Sequence, residues 1–177
     1  MSTAATSPQD SAPTRRDFLY LATGAMAAVG VGSVAWPLID QMSIDASAEA
    51  AGAPISVDLA PIAVGQVVTV KWRGNPIFIR HRTPAEIKAA EDTKLSDLRD
   101  PQTDAQRVQK PEWLILVGVC THLGCIPLDH QGQYGGWLCP CHGSVYDTSG
   151  RIRQGPAPLN LAVPAYKFDG PTKITIG

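Results

Sequence analysis

No block of basic residues occurs in this chain. Its 15 Lys and Arg are matched by 16 Asp and Glu, for a formal net charge of −1. Nucleic-acid binding needs a concentrated cationic surface, so that class of partner is excluded at the outset. Aromatic residues are scarce, at 6%. No Lys or Arg lies between Arg16 and Lys71, and no internal repeat is visible. Cysteine is absent before position 120 and after position 141, so all four fall within 22 residues. A structural core has no reason to crowd its cysteines in this way, which points to metal, cluster or disulfide chemistry. What the chain has in quantity is 16 Gly and 15 Pro, a load that suits a turn-rich β protein and argues against a helical bundle. Its 177 residues allow one modest domain with appendages.

Residues 1–14 are polar and rich in Ser, Thr, Ala and Pro, and are expected to be a disordered cytoplasmic tail. Arg15 and Arg16 follow, and residues 18–39 then carry no charge. As a helix those 22 residues span about 33 Å, enough to cross a bilayer. No polar stripe interrupts the run, which excludes a buried core helix. Ala46-Ser47-Ala48 and Ala48-Glu49-Ala50 resemble cleavage sites, but a cleavable signal has a shorter apolar stretch. The segment 15–40 therefore reads as a retained anchor in the lipid bilayer, beginning with the Arg15-Arg16-Asp17-Phe18-Leu19 run, which is similar to a twin-arginine export signal. The arginine pair places the N-terminus in the cytoplasm and the remainder on the far side. Residues 41–54, mostly Ala, Ser, Asp and Gly, read as a flexible tether.

From 55 to 177 the pattern is strand-like. Val67 to Trp72 and Ile77-Phe78-Ile79 flank an expected turn at Gly74-Asn75-Pro76. Thr83-Pro84-Ala85-Glu86 is a capping box that opens a short helix ending near Asp92. Residues 95–110 are polar and loop-like, and Trp113-Leu114-Ile115-Leu116-Val117 is a buried strand. His81, between Arg80 and Arg82, and His130 in a loop are expected to be solvated. The fold class is mainly β: a small antiparallel head with one short helical insertion, preceded by a single transmembrane helix.

The chemistry is carried by two boxes, Cys120-Thr121-His122-Leu123-Gly124-Cys125 and Cys139-Pro140-Cys141-His142-Gly143-Ser144. They offer six ligands where a tetrahedral zinc needs four. A centre held by four cysteines would leave a histidine idle in each box. A [2Fe–2S] centre with two Cys on one iron and two His on the other uses four groups, and the remaining Cys of each box can then pair as a disulfide. That pairing suits an oxidising compartment. On these grounds either cysteine of each box can be the ligand.

With both boxes in this form, the chain resembles a Rieske iron–sulfur protein. The anchor, the tether, Arg99-Asp100-Pro101-Gln102-Thr103-Asp104, Lys110-Pro111-Glu112-Trp113 and Gly155-Pro156-Ala157-Pro158-Leu159-Asn160 make it similar to the Rieske subunit of cytochrome bc complexes. The resemblance implies one [2Fe–2S] cluster per chain. Cys120 and Cys139 would hold the inner iron and His122 and His142 the outer one, with a Cys125–Cys141 disulfide. It further implies Ser144 and Tyr146 as hydroxyl donors to cluster or ligand sulfur, Leu123 at the docking tip, and Gly155-Pro156-Ala157-Pro158 as a shielding loop. Val145 departs from the pattern, standing where many relatives have His; it is not a ligand position.

What the resemblance implies for function is the catalytic iron–sulfur subunit of a quinol:cytochrome c reductase, a respiratory translocase. It would take an electron and a proton from quinol at a cytochrome b subunit and pass the electron to a membrane-bound c-type cytochrome. The location implied is a bacterial inner membrane, single-pass, with the head periplasmic. The physics agrees: neutral imidazoles in place of two thiolates make a cluster easier to reduce, and such centres lie at roughly −150 to +300 mV. The rival reading is the Rieske subunit of another exported oxidoreductase such as arsenite oxidase. The dioxygenase ferredoxins usually lack the extra cysteine pair and the anchor, and a structural zinc module leaves ligands unused.

Overall fold

The uncharged run is one helix in the computed structural model, which describes residues 13–43 and 46–177. The expected tail, 1–14, lies almost wholly outside the described residues. Helix α1 spans Arg15–Asp40, with Thr14 as its cap: the Thr14 side chain accepts from the Asp17 N–H, and the Asp17 carboxylate accepts from the Thr14 N–H at 2.9 Å. None of its residues is buried against protein, and Val29 and Trp36 are exposed. Its 26 residues and mean hydropathy of 1.7 make it long and apolar enough to cross a membrane.

Residues from Ser47 onward form a separate compact unit. Within the expected tether lies a seven-residue helix, α2 (Ala46–Gly52). At its end the Trp72 indole N–H donates to the Ala53 carbonyl at 3.0 Å.

Ten short strands follow in three antiparallel sheets. They are β1 (Ile55–Asp58), β2 (Val67–Trp72), β3 (Asn75–His81), β4 (Trp113–Val117) and β5 (Leu128–Asp129), followed by β6 (Gly135–Cys139), β7 (Ser144–Asp147), β8 (Ile152–Gln154), β9 (Tyr166–Phe168) and β10 (Lys173–Ile176). The orders are β1-β10-β9, β2-β3-β4 and β5-β6-β7-β8. The middle sheet is covered on both faces. Ile77, Ile79 and Ile115 meet Ile174 and Ile176 on one side. Phe78, Leu114 and Leu116 meet Trp137 and Tyr146 on the other. This double burial is why β4 reads as an unbroken apolar run instead of an alternation. Each such side chain contributes about 1.5–3 kcal/mol of burial. The Phe78 and Trp137 rings stack at 6.0 Å and tie the β5-β6-β7-β8 sheet to the middle one.

Two local expectations need correction. The β2–β3 turn is Arg73-Gly74, with φ of 49° and 80°, and Asn75 and Pro76 already pair with Trp72 and Lys71. Two left-handed residues make the two-residue turn whose twist matches the strands it joins. His81 is not solvated. It pairs across the sheet with Trp113, stacks on that ring at 4.1 Å, and donates from Nδ1 to the Ile62 carbonyl at 2.8 Å.

Helix α3 (Pro84–Glu91) opens at the expected Thr83–Glu86 box. The polar stretch after it is fixed, not loose, because buried arginines clasp it. Arg82 grips Asp104 bidentately at 2.6 and 2.9 Å, and Ser149 donates to the same carboxylate at 2.6 Å. Arg151, held by Asp147 at 2.8 Å, donates to the Gln102 carbonyl at 3.1 Å and to the Ala90 carbonyl at 2.7 Å. Burial pushes the Asp104 carboxyl up, yet Arg82 and Ser149 hold it below its ordinary value. Removing one member would strand a buried charge, at a cost of about 3–5 kcal/mol.

Candidate metal centre

The two boxes are built alike. In the first, the Cys120 carbonyl accepts from Gly124 N–H at 3.0 Å; in the second, the Cys139 carbonyl accepts from Gly143 N–H at 3.0 Å. Each closing glycine is left-handed, with φ of 81° and 73°, a conformation that costs a side-chain-bearing residue. The result is a pair of tight loops, one after β4 and one between β6 and β7, each carrying a cysteine at its base and a histidine at its turn.

Cys125 and Cys141 are joined as a disulfide, with Cα atoms 6.7 Å apart. Cys120 and Cys139 are free and buried. The Cys139 Sγ lies within 4.8 Å of both disulfide sulfurs, but those two sulfurs are spent on one another, so this trio is no ligand set. The free cysteines face each other. Burial pushes the Cys120 thiol up, but the Tyr146 hydroxyl, the His122 N–H, Cys139 and the Ser144 hydroxyl outweigh it and hold it below its ordinary value. Burial and the adjacent Cys120 push the Cys139 thiol up, against the N–H groups of Cys141 and His142. Two buried thiolates repel one another, and a cation between them is what lets both ionise.

The histidines are also adjacent, with ring centroids 4.7 Å apart and planes perpendicular. His122 is half-buried and His142 exposed. The Nδ1 of His122 is buried and has no hydrogen-bond partner. Leaving such an atom unsatisfied costs about 1–3 kcal/mol, which a metal bond removes. Two buried thiols, two neighbouring imidazoles and an orphaned ring nitrogen therefore fit an iron centre with mixed Cys and His ligation. Leu123 stands between His122 and Gly124 at 71% exposure.

Both expected hydroxyls point inward. The Tyr146 oxygen lies 3.3 Å from Cys120 Sγ and accepts from the Thr121 N–H at 3.4 Å, which leaves its own proton for sulfur. Ser144 Oγ, buried at the start of β7, accepts from the Ala157 N–H at 3.1 Å. The loop contact uses an acceptor site of Ser144 and leaves its proton to be donated. Thr121, which sequence reasoning passed over, braces the first box to the proline loop: it donates to the Leu159 carbonyl at 2.7 Å and accepts from the Leu159 N–H at 3.4 Å. Only its place inside the box hinted at this. Val145 is buried in β7, and a Cβ on Gly132 would meet its Cγ1 at 2.6 Å.

Donors aimed at sulfur favour the reduced, more negative cluster. A charge-assisted bond is worth roughly 1.5–3 kcal/mol, of which the redox difference retains about 1–2 kcal/mol. Ser144→Ala and Tyr146→Phe are each expected to lower the midpoint by about 40–90 mV, on the scale of 59 mV per tenfold, without loss of the cluster. Unchanged midpoints with intact clusters would remove both hydroxyls from this role.

Taken together, the antiparallel head and its paired Cys/His loops define an iron–sulfur electron-transfer protein of mixed ligation. The Rieske [2Fe-2S] domain family matches residues 59–167, and residues 5–45 match the family described as Ubiquitinol-cytochrome C reductase Fe-S subunit TAT signal. The chain belongs to the Rieske family and carries its [2Fe–2S] cluster, one per chain. It is 61% identical over 166 residues to the ubiquinol-cytochrome c reductase iron-sulfur subunit of Blastochloris viridis, covering 93% of each chain. It is 60% identical to that of Bradyrhizobium diazoefficiens, covering 93% of this chain and 95% of the relative. Identity to the mitochondrial Rieske subunit of the cytochrome b-c1 complex of Neurospora crassa is 54%, over 90% of this chain and 69% of the relative. Among solved structures, a chain of a hyperthermophilic respiratory Complex III superposes with a TM-score of 0.53 at 29% identity, covering 88% of this chain and 98% of that one. These relatives favour the respiratory reading over that of an arsenite-oxidase-type subunit.

Proposed function

We propose that this chain is the iron–sulfur subunit of a quinol:cytochrome c reductase, receiving an electron and a proton from quinol at a cytochrome b subunit and delivering the electron to a membrane-bound c-type cytochrome. The observation that carries this reading is the pair of adjacent histidines, His122 and His142, whose rings meet edge to face at 4.7 Å next to the exposed, apolar Leu123. When bound, the cluster supplies one-electron acceptor and donor chemistry. In this assignment Cys120 and Cys139 hold one iron, and His122 and His142 the other. Nδ1 of His122 is the metal-facing atom, since it is the buried and unpartnered one. Nε2 is then the ring's proton-carrying atom, and it would receive the quinol proton only after giving up its own. Leu123 offers an apolar contact beside the histidines, where water would otherwise compete for that proton.

Helix α1 would anchor the subunit in a bacterial inner membrane, with Arg15 and Arg16 cytoplasmic and the head periplasmic. Residues 41–54 would be the tether, with its far end fixed where Ala53 meets Trp72. Replacing residues 41–51 with a rigid proline-rich segment is expected to slow turnover while leaving the cluster spectrum unchanged. Turnover at the native rate would contradict a moving head. The proposed function itself is tested by co-purification: b- and c-type haem should accompany the tagged chain from membranes, and their absence would count against it.

A further inference from the structure

We propose that Arg99, a residue outside both boxes, is a positioning residue for the reduction potential, acting through the proline loop on the Ser144 hydroxyl. The inference rests on Ser144 being a donor to ligand sulfur. Arg99 is exposed and follows the buried Leu98. One of its nitrogens, Nη1, donates to two carbonyls of the proline loop, Gly155 at 2.6 Å and Ala157 at 2.7 Å. The amide of the same Ala157 donates to Ser144 Oγ at 3.1 Å. With one lone pair of that oxygen taken by the loop, the hydroxyl proton of the buried Ser144 is left for another acceptor, which in this reading is sulfur. Two consecutive bonds thus run from a surface guanidinium to the Ser144 hydroxyl.

The loop has no slack in which to absorb a loss. Gly155 is left-handed at φ 94°, and a Cβ there would lie 2.5 Å from the Ser144 Cα and 2.7 Å from the Gly143 carbonyl oxygen. The loop backbone therefore rests directly on the second box, and a shift of its carbonyls reaches Ser144. The other end of the loop is held separately. Asp100 accepts from the Asn160 N–H at 3.0 Å, and the Asn160 side chain donates back to the Asp100 carbonyl at 3.0 Å. Leu159 is bonded to Thr121, beside Tyr146. Losing Arg99 therefore frees the half of the loop that meets Ser144 and leaves the half that serves Tyr146.

This division gives a test by redox titration of the cluster in membranes carrying the full complex. Arg99→Gln should shift the oxidised-to-reduced equilibrium about threefold toward the oxidised form, about 30 mV lower at 59 mV per tenfold. In the Ser144→Ala background the same change should have no further effect, whereas in the Tyr146→Phe background it should be additive. A guanidinium acting only by its charge would instead be additive in both backgrounds, which would overturn the inference. If Arg99→Gln fails to load the cluster, Arg99→Lys keeps the charge with a shorter reach and should shift the midpoint in the same direction, again only when Ser144 is present. No shift in a loaded Arg99 variant overturns the inference alone. No shift in Ser144→Ala overturns the Ser144 assignment and this inference with it.

Discussion

Alanine in place of His122 or His142 is expected to abolish the cluster. Each ring is assigned an iron bond, and the remaining histidines cannot take it over. His81 is held by the Ile62 carbonyl and Trp113 within the base, and His130 sits beside Asp129 in the loop before β6. Water or a backbone carbonyl is a poor substitute ligand for iron bridged by sulfide. The head should still fold, because its two apolar clusters contain neither histidine. Iron and acid-labile sulfide should fall to background in both variants, with far-UV circular dichroism retained. Normal iron and sulfide content in either would defeat the ligand assignment.

Cys125→Ser is expected to give a protein that assembles its cluster and then loses it. The disulfide spans 16 positions and joins the end of the first box to the middle of the second. Closing a loop of that size stabilises the fold by about 3 kcal/mol in the chain-entropy model. In a head of this size that corresponds to a fall in Tm on the order of 10 °C. The local consequence is larger, because β-sheet pairing holds the boxes only at their bases. Without the clamp, the exposed turns around Gly124 and Gly143 can part and admit water to the ligand sulfurs. Melting and the decay of the cluster's visible absorbance would measure both effects. Mass spectrometry that found Cys125 and Cys141 as free thiols in the oxidised native protein would show the clamp to be absent.

The centre was legible in the sequence because its chemistry is local. Both boxes are short, and the surplus of ligands over any single-metal demand excluded simpler sites. Which cysteines pair was not a local matter; it came from the family resemblance, and the fold bears it out by leaving Cys120 and Cys139 buried and free. The double-faced burial of β4 was visible as an unbroken apolar run. What stayed hidden depends on contacts between distant positions. The His81 ring is half-covered by Trp113, 32 residues away on the neighbouring strand. The arginines that clasp residues 95–110 read as surface charges until Asp104 and Asp147 are placed beside them. Thr121 and Arg99 gain roles only when the proline loop is laid against the boxes.

A [2Fe–2S] centre with two cysteine and two histidine ligands accounts for the two free cysteines and the adjacent histidines of the boxes. Low-temperature EPR of the ascorbate-reduced protein tests it most directly. A rhombic signal with a low average g, broadened by hyperfine coupling when the histidines carry ¹⁵N, is the expected result. A signal with the higher average g of an all-cysteine cluster, or an EPR-silent protein containing zinc, would contradict it.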